Sequence, residues 1–219
     1  MNIPKRFQNP STLVSVVLLI APFARAEERS VPPVIVIRYC SGCHGIDGKS
    51  KLPYIPRLAS LNAEYIQRKI ANFKAAATPP VDETFQRSSK DGFTPEGTAH
   101  MVGTAHALPE KDLQAAAQWY AAQQPAPGKS GKWQVMKEGK DLYINGLPSR
   151  HVPACQSCHG PEAQGTDKAP RLAGQNATYL LGQLALFRAD NRKRSPMTEV
   201  ARSLENEQAR ALAAYLQSH

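Results

Sequence analysis

Every cysteine of the 219-residue chain lies in one of two C-x-x-C-H motifs, Cys40-Ser41-Gly42-Cys43-His44 and Cys155-Gln156-Ser157-Cys158-His159. Two thiols at this spacing can add across the two vinyl groups of one porphyrin, and the adjoining histidine then swings beneath the ring to ligate iron. The pattern predicts two covalent haem c groups, attached through Cys40 and Cys43 and through Cys155 and Cys158, with His44 and His159 as proximal iron ligands. Other uses of paired cysteines fit less well. A four-thiolate zinc site pairs its knuckles about 15–20 residues apart, whereas more than a hundred positions separate Cys43 from Cys155. A thioredoxin-like redox pair needs no histidine after its second cysteine, and neither copy sits in a βαβ pattern. Structural disulfides suit an exported chain but leave the duplicated histidine unexplained.

Haem attachment of this kind belongs outside the cytoplasm, and the amino terminus reads as an export signal. Lys5 and Arg6, an apolar run over 13–20 and Ala24-Arg25-Ala26 are the basic, hydrophobic and cleavage regions in order. Residues 1–26 are therefore expected to be removed after Ala26, leaving a periplasmic protein. A membrane span takes about 20 apolar residues, more than this run offers, and no cysteine near the cleavage point could carry a lipid. The mature chain would have 193 residues and 24 basic side chains against 18 acidic ones, a net charge of +6 in place of +9. Four haem propionates would lower it further, so the basic balance is weak support for nucleic-acid binding. Such a length accommodates two small domains.

The second half repeats the first. The motifs coincide at an offset of 115; at 114, Pro56-Arg57-Leu58-Ala59 matches Pro170-Arg171-Leu172-Ala173, Tyr65-Ile66 matches Tyr179-Leu180 and Phe73 matches Phe187. Near the ends, at 96, Met101, Ala105 and Leu108 match Met197, Ala201 and Leu204. The first half thus carries 18 extra residues between Phe73 and Met101, and the Pro-, Gly-, Ser- and charge-rich stretch near 78–97 reads as a surface loop. Tyr65, Ile66, Lys69, Ile70 and Phe73, and their counterparts Tyr179, Leu180, Gln183, Leu184 and Phe187, recur at helical spacing. Terminal helices are expected over 110–123 and 206–217, and another over 131–145 ahead of the second motif. Nothing alternates as a sheet would, so the fold class is all-α: a first domain over 27–124, a linker over 125–130 opened by Pro125-Ala126-Pro127-Gly128, and a second domain over 131–219.

The duplication also suggests the sixth iron ligands. Met197 follows Pro196 in a short segment, and Met101 occupies the equivalent repeat position, so each could present a thioether opposite its histidine. Met101 follows His100 instead of proline, and His106 is near, so histidine ligation of the first haem is an alternative. Arg57 and Arg171, at matched positions, could pair with buried propionates. Arg188, Arg192, Lys193 and Arg194 could form a basic rim that steers acidic partners. Trp119 and Trp133 read as helix packing.

With these residues assembled, the chain resembles the cytochrome c4 family, dihaem proteins of two fused class I cytochrome c domains, each wrapped around one covalent haem. The likeness is densest in His151-Val152-Pro153-Ala154 before the second motif, Pro170-Arg171-Leu172-Ala173-Gly174-Gln175 after it, Tyr179-Leu180 and Phe187-Arg188. The resemblance implies that the carbonyls of Pro56 and Pro170 accept the free ring N–H of the proximal histidines, a second-sphere role that fixes ring orientation. It implies a non-enzymatic carrier exchanging electrons with redox proteins such as a terminal oxidase or a periplasmic dehydrogenase, with no nucleic acid and no small-molecule substrate. The alternative is a haem enzyme or the electron-transfer subunit of a periplasmic oxidoreductase, which as an enzyme would need an open iron. The first domain departs from the family at its start: Pro32-Pro33 followed by Val34-Ile35-Val36-Ile37 disfavours a long opening helix, so packing of first against last helix is expected to be weakened there.

Overall fold

The structure, a computed structural model, describes Met1 and residues 31–75, 95–189 and 195–219. The expected signal peptide beyond Met1, most of the inserted stretch and Arg192, Lys193 and Arg194 lie outside the described residues. Pro32–His219 forms one compact unit. Among the described residues it is helical throughout, the single bridge between Leu147 and Val152 being the only extended pairing. No helix there is long and apolar enough to cross a membrane.

In the first half a π-helical stretch, Val36–Cys40, runs directly into α1 (Ser41–His44), followed by α2 (Ala63–Ala75), α3 (Pro95–Ala107) and α4 (Glu110–Ala121). The second half contains α5 (Trp133–Asn145), a 3₁₀ turn at Pro148–Arg150, α6 (Gln156–His159), α7 (Ala177–Arg188), α8 (Met197–Ser203) and α9 (Asn206–Gln217). The two prolines do keep the opening helix short. It starts after Pro33, whose carbonyl accepts from the amides of Val36 and Ile37, and its widened π turn falls on the β-branched run. It still reaches the last helix, since Ile35 and Val36 share a buried core with Leu113, Ala116, Ala117 and Tyr120 of α4, but the contact is slight beside that of the opening and last helices in the second half, in keeping with the expected weakening. Of the stretch 78–97 expected as a surface loop, the part from Pro95 onward is helical, Pro95 being well suited to a first helical turn, and the part before it lies outside the described residues.

The period-3.6 pattern explains the rest. Ile66 and Ile70 of α2, and Leu180, Leu184 and Phe187 of α7, are buried, each such side chain contributing about 1.5–3 kcal/mol. In the first half α2 packs on α3 and α4; in the second, α7 packs on α8 and α9. The second half adds a close crossing of α5 on α9. Gly139 permits it: a Cβ there would lie 2.1 Å from the Ala211 carbonyl oxygen and 2.7 Å from Cβ of Tyr215.

Different helices hold the two motifs. Tyr120 of α4 donates its hydroxyl to the Gly45 carbonyl at 3.1 Å, and its neighbour Trp119 donates Nε1–H to the Ile46 carbonyl at 2.7 Å. In the second half the equivalent carbonyl, that of Gly160, accepts from Tyr143 of α5. The repeat position of Tyr120 is Leu216, so two unrelated tyrosines perform one task. Trp119 is thus a motif anchor as well as packing, whereas Trp133 is 77% exposed and packs on little, contrary to expectation.

Gly139→Ala is expected to lower stability by about 1–3 kcal/mol through overpacking of the α5–α9 crossing, read as a reduced urea midpoint at unchanged slope. Tyr120→Phe and Tyr143→Phe should each cost about 1 kcal/mol in the same titration, because the Gly45 and Gly160 carbonyls lose one hydrogen bond while keeping those from the amides of Gly48 and Ala163.

Candidate functional site

Each motif is one turn of helix with its histidine at the end. His44 and His159 are 6% and 7% exposed, while Cys43 and Cys158 are exposed and Cys40 and Cys155 half-buried. None of the four thiols is in a disulfide. Burial, and to a lesser degree the neighbouring Cys43, pushes the Cys40 thiol up to about 11. Cys155 is likewise pushed up to about 11, chiefly by burial. Among the described residues no three or more His, Cys, Asp or Glu side chains converge as a metal cluster.

A repeated loop brings a proline carbonyl to each imidazole. The carbonyl of Gly48 accepts from the amides of Leu58 and Ala59 at 2.8 and 3.3 Å, and that of Ala163 from Leu172 and Ala173 at 2.8 and 2.9 Å. These closures fold each loop back over its motif. A hydroxyl then pins the motif itself: Ser50 Oγ donates to the Cys43 carbonyl at 2.8 Å and Thr166 Oγ1 to the Cys158 carbonyl at 2.7 Å. As a result His44 Nδ1 lies 3.0 Å from the Pro56 carbonyl oxygen and His159 Nδ1 lies 2.9 Å from that of Pro170. A carbonyl can only accept, so Nδ1 carries the proton in both rings and Nε2 keeps its lone pair. Burial holds both imidazoles below the usual histidine range and the proline carbonyl opposes it only in part, so the neutral form is favoured. Two free thiols one turn apart, beside a neutral imidazole with an unspent Nε2, are the donor set a covalent haem requires.

Met101, partly buried, lies one turn before the buried Ala105 on α3, whereas the side chains of His100 and His106 are exposed. Met197 is the first residue of α8 and packs on a cluster of Leu184, Phe187, Ala201 and Ala209. Arg188 sets this segment in place: Nε donates to the Ala201 carbonyl at 2.7 Å, Nη2 to that of Leu204 at 2.6 Å and Nη1 to Asn206 Oδ1 at 2.7 Å. Arg188 is therefore a clamp on α8, and the rest of the basic cluster expected as a steering rim lies outside the described residues.

Arg57 and Arg171 line a narrow cleft between the halves together with Leu61, Ala126 and Gln175. Arg57 Nη1 reaches across to the Gly174 carbonyl at 2.6 Å, while Arg171 Nε bonds the Ala173 carbonyl of its own half at 3.1 Å. Burial lowers both guanidinium pKa values from the ordinary arginine range. Several residues here escape sequence reasoning. Gln175 and Asn176, both buried, bond the backbone of segment 52–57 across the same cleft. Gln175 stands in the stretch that carries the family likeness and breaks the repeat, the first half having Leu61 there, but neither signal points to a contact across the cleft.

Comparison with known proteins extends these observations. A sequence model of the cytochrome c family matches residues 136–219. The chain is 32% identical over 187 residues to cytochrome c4 of Stutzerimonas stutzeri, covering 83% of this chain and 84% of that protein. It is 30% identical over 182 residues to the thiosulfate dehydrogenase electron acceptor of Stutzerimonas stutzeri strain A1501, covering 80% and 76%. The crystal structure of reduced recombinant cytochrome c4 from Pseudomonas stutzeri aligns with a TM-score of 0.70 at 32% identity, over 83% of this chain and 94% of that one. A likeness that runs through both halves, and not merely around one motif, gives the duplication its meaning: the chain belongs to the cytochrome c4 family and is a dihaem c-type electron-transfer cytochrome.

Proposed function

We propose that this protein is a periplasmic electron carrier whose two domains, 27–124 and 131–219 joined by 125–130, each hold one haem, with His44 and Met101 as iron ligands in the first and His159 and Met197 in the second. The carrying observation is the matched pair of imidazoles, each with Nδ1 on a proline carbonyl and Nε2 free. The haem supplies an iron that cycles between ferric and ferrous states, and a thioether opposite imidazole favours the ferrous one. The protein's own contribution is to hold each imidazole in one tautomer and orientation, to bring a methionine from α3 or α8, and to exclude further ligands. The partial burial of Met101, one turn from the buried Ala105, and the exposure of His100 and His106 support methionine as the first haem's sixth ligand. Guanidinium N–H groups of Arg57 and Arg171 beyond those already bonded suit the carboxylates of a haem.

The partners are redox proteins. The likeness to a thiosulfate dehydrogenase electron acceptor favours a periplasmic dehydrogenase as donor, with a terminal oxidase or similar protein as acceptor. The same likeness supports a second reading, that of a dedicated electron-transfer subunit with a permanent partner. A peroxidase-like enzyme needs one open iron, and a methionine available in each half weighs against it.

Optical spectra of the purified protein in both oxidation states, with a pyridine haemochrome count, test the ligand set. Two covalent low-spin haems with the ferric thioether-to-iron band are expected, and one high-spin or bis-histidine haem would overturn it. Met197→Ala should remove that band from the second haem alone and Met101→Ala from the first alone. Cys155→Ala should leave one normally attached haem by intact mass. A mature chain beginning after Ala26 in that mass supports export, and an uncut chain confined to the cytoplasmic fraction would count against it.

A further inference from the structure

The peptide that receives His44 is built partly by the other half of the molecule. Pro56 C=O and Arg57 N–H are the two ends of one planar trans peptide, so fixing one end aims the other. The carbonyl accepts from His44 Nδ1 at 3.0 Å, and the N–H donates to Gln175 Oε1 at 2.8 Å. Gln175 Nε2 returns to the Arg57 carbonyl at 2.9 Å, so the side-chain amide grips Arg57 in both directions. Oε1 also accepts from the Asn176 amide at 2.9 Å, which orients the glutamine. Asn176 Nδ2 donates to the carbonyls of Leu52 and Ile55 at 3.0 and 2.8 Å, completing the hold on the same loop. Both side chains are 5% exposed.

Nothing equivalent serves the second site. The repeat partner of Gln175 is Leu61, which lines the same cleft as Arg171 but has no amide to offer. Among the described residues no side-chain amide meets the peptide between Pro170 and Arg171. The repeat partner of Asn176 is Asn62, whose Oδ1 caps its own helix by accepting from the amides of Glu64 and Tyr65. Asn176 makes no such cap; the α7 amide of Ala177 bonds Gln217 Oε1 instead, which leaves Asn176 for the cross-half contact.

We propose that Gln175, a residue of the second half, is a positioning residue for the iron ligand of the first, acting through the chain His44 Nδ1–H, Pro56 C=O, Arg57 N–H and Gln175 Oε1. The inference rests on the reading of His44 and His159 as iron ligands. An amide that donates at its N–H is polarised into a better acceptor at its carbonyl, and a stronger acceptor makes the imidazole a more basic ligand. A more basic imidazole favours ferric iron, so the link lowers the potential of the first haem and leaves the second alone. The first potential therefore depends on how the halves dock.

The test is a spectroelectrochemical titration of the holoprotein, with the haem resonances assigned by NMR. Gln175→Leu, which installs the residue found at the matching place in the first half, should raise the midpoint of the first haem and leave the second unmoved. Asn176→Ala removes two cross-half bonds but not the amide at the Pro56–Arg57 peptide, and should move the first midpoint less at a comparable loss of stability. Equal shifts in both haems, a shift confined to the second, no shift, or an equal effect of Asn176→Ala would each overturn the proposal. A readout that needs no variant is the reduced unsubstituted protein, where the Nδ1 proton of His44 should resonate downfield of that of His159; the reverse order overturns it as well. If that spectrum lacks an iron-bound imidazole for His44, the ligand reading itself fails, an outcome separate from two bound imidazoles with indistinguishable Nδ1 protons.

Discussion

An imidazole has two nitrogens, and a hydrogen bond at one decides what the other can do. In both halves of this cytochrome that bond runs from Nδ1 to a proline carbonyl, 12 residues beyond His44 and 11 beyond His159. Nearly every local feature around the motifs serves to hold its two ends. One helical turn places the histidine, a serine or threonine hydroxyl closes on the second cysteine's carbonyl, and a paired backbone turn returns the loop so that its proline faces the ring. The ring is thereby kept neutral, buried and in a single tautomer before iron enters the account.

Duplication supplied two copies of this arrangement, and the copies have since parted in how they are supported. The second half has a full opening helix, crossing α9 so closely that only glycine fits at position 139. The first half has a compressed opening segment that merges into its motif, and the task done by Tyr143 of α5 has passed to Tyr120 of α4. In each case the hydroxyl meets the carbonyl that ends the motif helix, at a glycine with φ of 79° or 84°, a backbone state open to glycine at little cost. The carbonyl already accepts one backbone amide, that of Gly48 or Ala163, and its second lone pair takes the hydroxyl; which helix provides it is immaterial to the hydrogen bond.

The cleft between the halves is polar, which sets it apart from the two apolar cores. Buried amides and a guanidinium there bond backbone groups that would otherwise lie unsatisfied. Such contacts are directional, so they define the relative placement of the halves more sharply than an apolar seam of equal size would.

The amino-acid sequence by itself determined the haem chemistry, the duplication and the helical class. These depend on residue type and on short spacing: a thiol pair one turn from a histidine, or an apolar stripe at period 3.6, is local information. Its duplication also singled out Pro56 and Pro170, and Met101 and Met197, as matched positions, while the proline role was what the family resemblance implied and the methionine ligation is a proposal. Only the tertiary structure decided which helix anchors each motif, that Arg188 clamps α8, that Trp133 stands in solvent, and that Gln175 and Asn176 reach the first half's loop. Those facts join residues 13 to 124 positions apart through side chains of ordinary type. A glutamine or an asparagine has no periodicity and no obligatory partner, so its role exists only once folding has brought a backbone amide within hydrogen-bonding distance.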